Sequence, residues 1–343
     1  MPVRTAVIGA GSMGNVHLQQ LNLIPDVEVV ALVDPSEAAV RRTADTHRVP
    51  RTFGDIKTML AEVKPAYVVV ASPMPYHVDD AVAVYEAGAH ALVEKPLAMN
   101  VEEAERIKDA AVRAGKLFTM GFQLRQQPGN LAVRQHVAEG KLGTIYHSRV
   151  WGGHVMGYPW GRYFHRKSVS MGGVIANTTV HPLDVLYWII GEPEPTAVSA
   201  SAFCKLTKMP DPPINFEGTI DEVTVEDFAH AHVRFADGSS LSIEGNWLMH
   251  QTDRVMGYEL YGSLGLARSV TPHVELEKGR ELTPLTFDPD ITWGECTRRE
   301  HIEFLAAMRG EREPVVSFHQ ALTVQKIMCG LYASVEQGSE VRL

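Results

Sequence analysis

Three glycines near the start of the chain have the spacing of a phosphate-binding turn. Gly9, Gly11 and Gly14 form the pattern G-x-G-x-x-G directly after the short apolar run 6–8. Gly9 permits a tight strand-to-helix turn, Gly11 lets backbone approach a pyrophosphate, and Gly14 lets the helix pack on the strand. The phosphates would then lie on free N–H groups at the positive end of the following helix.

A carboxylate further along the chain supports this interpretation. A second apolar run, 27–33, ends in Asp34, which stands 20 residues after Gly14. A carboxylate there accepts hydrogen bonds from ribose hydroxyls and repels a 2′-phosphate, so the sequence predicts NAD and makes NADP the less favoured cofactor. A plain structural turn is the alternative. The strand before the glycines and the helix expected at 15–23 favour the dinucleotide site. The other predicted cofactor contacts are Ser12, Met13, Ser72, Pro73, His77, Glu94 and Lys95.

The tripeptide Glu94-Lys95-Pro96 lies at the carboxyl end of a predicted strand, 89–94. Open α/β sheets bind ligands at that edge, so we expect Lys95 to point toward the cofactor crevice. An ammonium group there could hydrogen-bond a substrate oxygen and stabilise negative charge that develops on it. Taken alone, a surface lysine after a strand would be the favoured interpretation.

A second polar group lies in the segment 172–184. Asn177, His181 and Asp184 stand at i, i+4 and i+7, which places them on one face of a helix predicted over 173–190. Polar groups on an otherwise apolar helix are costly without partners. A histidine can accept the hydroxyl proton of an alcohol at neutral pH, and a nearby carboxylate can hold its ring. The alternative is a satisfied polar cluster at a domain interface.

Five aromatic residues crowd the segment 151–167 among basic side chains. Sugar rings stack on aromatics and need polar edges, so this segment is a candidate wall of a substrate pocket, with domain-interface packing as an equal alternative. The predicted substrate contacts are Lys95, Arg125, Trp151, His154, Tyr158, Trp160, Asn177 and His181. We expect no metal site, since His230 and His232 share a strand face without a third ligand.

The elements that must position these residues change character along the chain. Residues 1–122 alternate strand and helix, which predicts a doubly wound parallel sheet, a Rossmann domain. Ser36, Asp55 and Asn100 are expected to cap the starts of three of its helices. Residues 123–343 are predicted to form an α+β domain with a large open, mostly antiparallel sheet. Its strands are expected at 143–154, 196–206, 223–235 and 240–249. In the third of these, every second residue from Val225 to Phe235 is expected to share one packed face, with a more polar face opposite. A final helix over 317–337 is expected to pack back on the first domain.

Composition excludes several classes of protein. The 343 residues fit two domains, and a net charge of −9 at pH 7 argues against a nucleic-acid partner. Three distant cysteines offer neither a disulfide framework nor a C-x-x-C metal site. No apolar stretch reaches membrane-spanning length, and residues 1–14 look like strand and turn rather than a signal peptide. We therefore expect a cytoplasmic protein with no membrane partner.

Together these motifs resemble the glucose-fructose oxidoreductase, inositol dehydrogenase and MocA (Gfo/Idh/MocA) family. The resemblance covers the glycine turn, Asp34, 94–96 and the Gly-Gly…His181-x-x-Asp184 segment. It continues at the end of the chain in 300–304, Gly310, Pro314 and 334–338. The resemblance implies a Rossmann domain, an open-sheet domain, and NAD(P)-linked oxidation or reduction of sugars and cyclitols. It implies Lys95 and His181 as catalytic residues, and in several members the bond before the motif's proline is cis.

The resemblance leads us to expect a dehydrogenase that acts on a secondary alcohol of a sugar, sugar derivative or cyclitol. Many inositol dehydrogenase-like members carry Asp where this chain has Asn177, which weakens the case for inositol. An NAD-dependent glycosidase with a transient redox step and a non-catalytic regulatory sensor are the alternatives. Retention of both Lys95 and His181 argues against the sensor. The family usually buries its open sheet face, so we expect a homodimer or homotetramer.

Overall fold

The computed structural model describes residues 1–155, 160–212, 215–249, 255–270, 273–278, 281–284 and 287–343. Contacts between Cα atoms divide the chain into two units. The first comprises residues 1–126 and 291–322, and the second comprises residues 127–290 and 323–343. The predicted domain boundary after residue 122 stays a prediction. No helix of the described ranges combines the length and the apolar character that crossing a membrane requires.

The first unit is built on a six-stranded parallel sheet in the order β3-β2-β1-β4-β5-β6. The strands are β1 (Val3–Ile8), β2 (Val27–Val33), β3 (Thr52–Phe53), β4 (Tyr67–Val70), β5 (His90–Val93) and β6 (Phe118–Met120). All four residues of β4 are buried, as expected of a parallel strand covered on both faces. The doubly wound parallel sheet predicted from the sequence is confirmed.

Helices follow these strands where the sequence supplies start signals. They are α1 (Ser12–Leu21), α2 (Glu37–His47), α3 (Ile56–Val63), α4 (His77–Glu86) and α5 (Val101–Ala114). Ser36, Asp55 and Asn100 each accept a backbone N–H of the first turn, which confirms them as N-caps of α2, α3 and α5. The hydrophobic core packs apolar residues of these strands against α1, α2 and a helix near the end of the chain.

The second unit contains nine described strands in one sheet. They are β7 (Ile145–Val155), β9 (Pro195–Phe203), β11 (Phe228–Phe235), β12 (Ser240–Met249), β13 (Met256–Gly262), β14 (Leu266–Val270), β15 (His273–Lys278), β16 (Glu281–Pro284) and β17 (Val341–Arg342), while β8 (Trp160–Gly161) and β10 (Asn215–Phe216) pair separately. The order is β16-β15-β14-β13-β7-β12-β11-β9-β17, and every pair is antiparallel except β7 with β12. The predicted mostly antiparallel sheet is confirmed.

The helices of the rest of the chain include three that the sequence analysis missed. They are α6 (Pro128–Ala138), α7 (Lys167–Ser170), α8 (Val180–Ile189), α9 (Trp293–Met308) and α10 (Phe318–Gln337). The missed helices are α6, α7 and α9, and α9 belongs to the first unit, where it packs against α1. The helix predicted over 317–337 exists as α10, and its residues are divided between the two units. That it packs back on the first domain stays a prediction.

Two predicted strand boundaries are wrong. The strand predicted to begin at 223 begins at Phe228, after a capped 3₁₀ turn over Ile220–Glu222. Between the two, the backbone bonds to other segments, since the Thr224 N–H donates to the His165 carbonyl and the Glu226 carbonyl accepts the Val174 N–H. The strand predicted to reach 206 ends at Phe203, just before a second 3₁₀ turn. Within β11 the predicted alternation is confirmed, since every second residue from Ala229 to Phe235 is buried.

Candidate active site

The glycine turn after β1 has the geometry that its spacing predicts. Gly9 has φ +102°, and a Cβ there would lie 2.4 Å from the carbonyl oxygen of Ala71. A Cβ on Gly14 would lie 1.9 Å from the carbonyl oxygen of Gly9, whereas no atom lies within 4 Å of one on Gly11. Turn geometry and helix packing therefore require Gly9 and Gly14, and Gly11 leaves its backbone open to a ligand.

The start of α1 offers backbone donors to an anion. Gly11 is the N-cap residue and makes no side-chain capping bond. The first N–H groups of a helix have no partner within the helix, and they attract negative charge. The open face of Gly11 and these N–H groups fit the pyrophosphate of a dinucleotide. Contacts with Ser12 and Met13 stay predictions.

Asp34, directly after β2, is held by two backbone donors. Its Oδ2 accepts the N–H of Ala10 at 2.9 Å, and its Oδ1 accepts the N–H of Ser36 at 2.8 Å. A cavity of about 340 Å³ adjoins it, lined by Asp34, Pro35, Glu37, Val40, Arg41, Thr52, Phe53 and Gly54. Arg41 pairs with Glu37 at 2.5 Å. The cavity thus presents two carboxylates, and its arginine is already paired with one of them.

Lys95 follows β5, and its peptide bond to Pro96 is cis. The Glu94 carboxylate beside it is 3% exposed and accepts the Lys95 backbone N–H at 3.1 Å. His17 Nε2 lies 2.9 Å from the other carboxylate oxygen. Burial raises the pKa of Glu94, but the contacts with His17 and Lys95 together outweigh it, so the net pKa lies below the usual value. Burial lowers the pKa of Lys95, and the Glu94 charge opposes that effect.

Ser72, Pro73 and His77 lie between β4 and the first turn of α4. The Ser72 hydroxyl donates to Asp80 Oδ2 at 2.5 Å. The two ring nitrogens of His77 lie 2.8 Å from the Ser72 carbonyl oxygen and 2.9 Å from that of Pro96. His77 therefore connects the loops after β4 and β5. Burial lowers the pKa of His77, and the hydrogen bonds to these two carbonyl oxygens oppose that effect. Contact of this group with a cofactor stays a prediction.

The helix that carries the second polar group does not begin as the predicted α-helix. Residues Ile175–Thr179 form a π-helical turn, which α8 continues. Because a π turn closes on i→i+5 bonds, it displaces Asn177 from the α-helical spacing assumed above. The Asn177 amide donates to the carbonyl oxygens of Gly172 and Gly173 at 3.0 and 3.1 Å. His181 and Asp184 are 5% and 1% exposed.

Glu226 is a residue of this region that the sequence analysis missed. Its carboxylate accepts the N–H groups of Gly173 at 2.8 Å and Ile175 at 3.1 Å, and the Tyr332 hydroxyl at 2.9 Å. Burial raises its pKa, while these donors oppose that effect. A Cβ on Gly173 would lie 1.9 Å from the Glu226 carbonyl oxygen, and one on Gly172 would lie 1.8 Å from the Tyr332 hydroxyl. The Gly172-Gly173 pair was the available signal of such close packing.

The remaining predicted substrate contacts differ in how deeply they are buried and in what they contact. Trp151 is 7% exposed, and its ring packs on Gly257 of the neighbouring strand β13. Arg125 is fully buried, and its Nη1 donates to the Val315 carbonyl and the Gln320 side chain, both at 2.8 Å. His154 is half-buried on β7. Tyr158 and the side chain of Trp160 lie outside the described residues. Substrate contact by all of these stays a prediction.

No cluster of three or more His, Cys, Asp or Glu side chains in the described part of the chain has an arrangement that could hold a metal ion.

The six-stranded parallel sheet and the glycine turn are those of a dinucleotide-binding Rossmann domain. The chain matches the family model "Oxidoreductase family, NAD-binding Rossmann fold" over residues 3–122, and the "GFO/IDH/MocA C-terminal domain" over residues 130–268. The chain belongs to the Gfo/Idh/MocA family, as its motifs indicated.

Comparisons with individual proteins agree. The chain is 27% identical to D-glucoside 3-dehydrogenase of Escherichia coli over 100% of this chain and 98% of that protein. It is 24% identical to inositol 2-dehydrogenase of Salmonella paratyphi B over 56% of each. A solved structure of levoglucosan dehydrogenase with NADH and levoglucosan has a TM-score of 0.88 at 20% identity, covering 100% of this chain and 99% of that one.

Proposed function

We propose that this protein is an NAD-dependent dehydrogenase that oxidises a secondary alcohol of a sugar, sugar derivative or cyclitol, or reduces the corresponding ketone. Its relatives include dehydrogenases of a glucoside and of inositol. The observation that carries the proposal is the half-buried Lys95 at the carboxyl end of β5, with the Glu94 carboxylate behind it. This is the sheet edge at which open α/β folds bind ligands.

Each polar residue has a proposed role. The bound NAD supplies the acceptor for the hydride. Lys95 holds and polarises the reacting oxygen, since an ammonium stabilises the charge that develops there. His181 takes the hydroxyl proton in the oxidative direction. Asn177 and Asp184 position His181 and the substrate.

Preference for NAD over NADP follows from the cavity beside Asp34. Its two carboxylates repel a 2′-phosphate, and Arg41 is paired with Glu37. The ribose hydroxyls can still bond the outer lone pairs of Asp34. We expect calorimetry to show tighter binding of NAD, and tighter binding of NADP would contradict this assignment.

The test begins with a thermal-shift panel of sugars, inositols and sugar acids in the presence of NAD. A stabilising compound is then assayed for net NADH formation, which a glycosidase that returns its hydride would not give. Lys95→Met and His181→Ala should each remove most turnover and leave NAD binding nearly unchanged. The control Lys108→Met removes an exposed charge from α5 and should keep wild-type turnover. Wild-type turnover in Lys95→Met would contradict its catalytic role.

We also propose a two-fold homo-oligomer in the cytoplasm, a dimer or a tetramer. One face of β11 carries Phe228, His230, His232 and Arg234, of which His230 and Arg234 are exposed in the single chain. A second copy covering this sheet would bury that face. Light scattering at micromolar concentration should give a multiple of the 37.8 kDa chain mass, and a monomer mass would rule the proposal out.

A further inference from the structure

Four buried polar side chains of the first unit form one continuous hydrogen-bonded series. The Tyr67 hydroxyl lies 2.8 Å from His301 Nδ1, His301 Nε2 lies 3.0 Å from His17 Nδ1, and His17 Nε2 lies 2.9 Å from Glu94 Oε1. Tyr67, His301 and His17 have no exposed surface, and Glu94 has 3%. Four elements, β4, α9, α1 and the end of β5, each contribute one member. Burial of so many polar groups is costly unless every bond is made.

The direction of the protons follows from the tyrosine end of the series. Burial, and secondarily the Glu300 charge, raise the pKa of Tyr67 well above its usual value, so it keeps its proton. His301 Nδ1 lies 2.8 Å from this hydroxyl, and because a buried O–H without an acceptor is costly, we assign the proton of this bond to Tyr67.

The two histidines continue the same order of donor and acceptor. Burial lowers the pKa of His301 well below its usual value, and the ring is neutral. With Nδ1 accepting, its proton lies on Nε2, which donates to His17 Nδ1. The proton of His17 is therefore on Nε2, and it donates to Glu94. All three bonds of the series point toward the carboxylate.

Glu94 connects this hydrogen-bonded series to Lys95. One carboxylate oxygen accepts from His17 and the other accepts the backbone N–H of Lys95. The carboxylate also lies against Gly121, where an added Cβ would stand 2.7 Å from Oε1. Its charge acts on Lys95 and on His77. The carboxylate is thus held on three sides and kept next to the lysine.

We propose that Tyr67, His301 and His17 are positioning residues for Lys95: their directed hydrogen bonds hold Glu94 ionised and in place, and Glu94 keeps the Lys95 ammonium charged. The role of Lys95 in this proposal rests on the dehydrogenase function proposed above. The proton arrangement of the series and the ionisation of Glu94 can be measured in the protein without substrate.

The first measurement is histidine-selective ¹⁵N NMR of the full chain, with signals assigned through His17→Gln and His301→Gln. We expect both rings to carry a proton on Nε2 and to accept a hydrogen bond at Nδ1. An imidazolium or an Nδ1–H tautomer at His17 would overturn the proposed direction. The His17 Nε2 signal also reports the protonation of Glu94. We expect the midpoint of the Glu94 titration to lie below the usual glutamic acid range.

The second measurement compares two tyrosine variants. Tyr67→Phe keeps the ring that packs on Phe304 and removes only the terminal donor. Tyr85→Phe is the matched control, because Tyr85 is 1% exposed and its hydroxyl has no hydrogen-bond partner among the described residues. In Tyr67→Phe the Glu94 midpoint should rise by about half a pH unit, the share of one hydrogen bond transmitted through two rings. The pKa of the acidic limb in the pH profile of kcat should rise with it. The pKa of the basic limb, which Lys95 sets, should fall.

The outcomes separate this proposal from the proposed function. Equal Glu94 midpoints in Tyr67→Phe and Tyr85→Phe would overturn the positioning role, even if the wild type reduces NAD. A shifted Glu94 midpoint with unchanged pKa values in the pH profile of kcat would also overturn the positioning role, because Lys95 would then not depend on the series. If no polyol yields NADH, the dehydrogenase proposal fails, while the NMR midpoints still decide whether the series holds Glu94 ionised.

Discussion

Replacement of Asp80 by Asn should stabilise the protein at neutral pH and leave it unchanged in acid. Asp80 lies in the first turn of α4, is 8% exposed, and accepts the Ser72 hydroxyl at 2.5 Å. Burial raises its pKa from 3.8 to about 6, Ser72 opposes that effect, and the neighbouring charge of Asp79 adds to it. The native state therefore holds a proton that the unfolded chain releases at lower pH.

The size of the effect follows from this shift in pKa. Between pH 3.8 and about 6 the native state binds more protons than the unfolded state, so the free energy of unfolding falls as the pH rises. At about 1.4 kcal/mol per unit, the full penalty above pH 7 is about 3 kcal/mol. Asn carries no charge and still offers an oxygen to Ser72. It loses the attraction between a carboxylate and the helix N-terminus, about 0.5 kcal/mol, which leaves a net gain of roughly 2 kcal/mol.

The assay is urea unfolding followed by circular dichroism at about pH 4 and about pH 8. Asp79→Asn is the control, because it removes the same charge one residue away. Its side chain is 79% exposed and pairs with Arg106 at 3.0 Å, so it should change the unfolding free energy by less than about 1 kcal/mol at either pH. If Asp80→Asn is destabilised by the same amount at pH 8 as at pH 4, the reasoning is refuted, since the carboxylate would then be ionised and needed for stability.

Two further predictions concern the start of the helix that carries His181. Glu226→Ala leaves three buried donors without their acceptor and should cost at least about 3 kcal/mol of unfolding free energy, whereas Glu217→Ala, which removes an exposed ion pair, should cost under about 1 kcal/mol. Gly173→Ala should yield no folded protein on a thermal melt, because its Cβ would overlap the Glu226 carbonyl. The control Gly54→Ala has open space around its Cβ and should melt near the wild type.

Sequence reasoning succeeded where the signal was local. The glycine turn, the position of Asp34 at the end of β2, and the N-caps of α2, α3 and α5 each depend on residues within one strand-turn-helix unit. Spacing within such a unit determines which backbone groups need a partner and which residue can supply it. The alternation of β11 was readable for the same reason, because period two is intrinsic to a strand.

The parts that sequence reasoning missed depend on distant partners. His17 and His301 are 284 residues apart, and Glu226 lies 53 residues after Gly173. A single histidine or glutamate in a helix or loop looks like an ordinary polar residue until the fold supplies its partner. The helix α9 contributes His301 and Phe304 to the first unit from the far end of the chain. No rule of local spacing predicts that this helix belongs to the first unit.

Asn177 shows how a distant backbone contact changes the meaning of a substitution. From the sequence, Asn177→Asp would add a carboxylate near His181, raise the pKa of that histidine and shift the acidic limb of the pH–rate profile upward. In the structure the amide donates to the carbonyl oxygens of Gly172 and Gly173. A carboxylate cannot donate, and it would face two carbonyl oxygens, so the variant should also lose roughly 2–4 kcal/mol of unfolding free energy. Asn177→Ala, which loses the donors without adding charge, should lose less stability and should not shift the limb. Full stability in both variants would show that the amide does not hold the start of this helix.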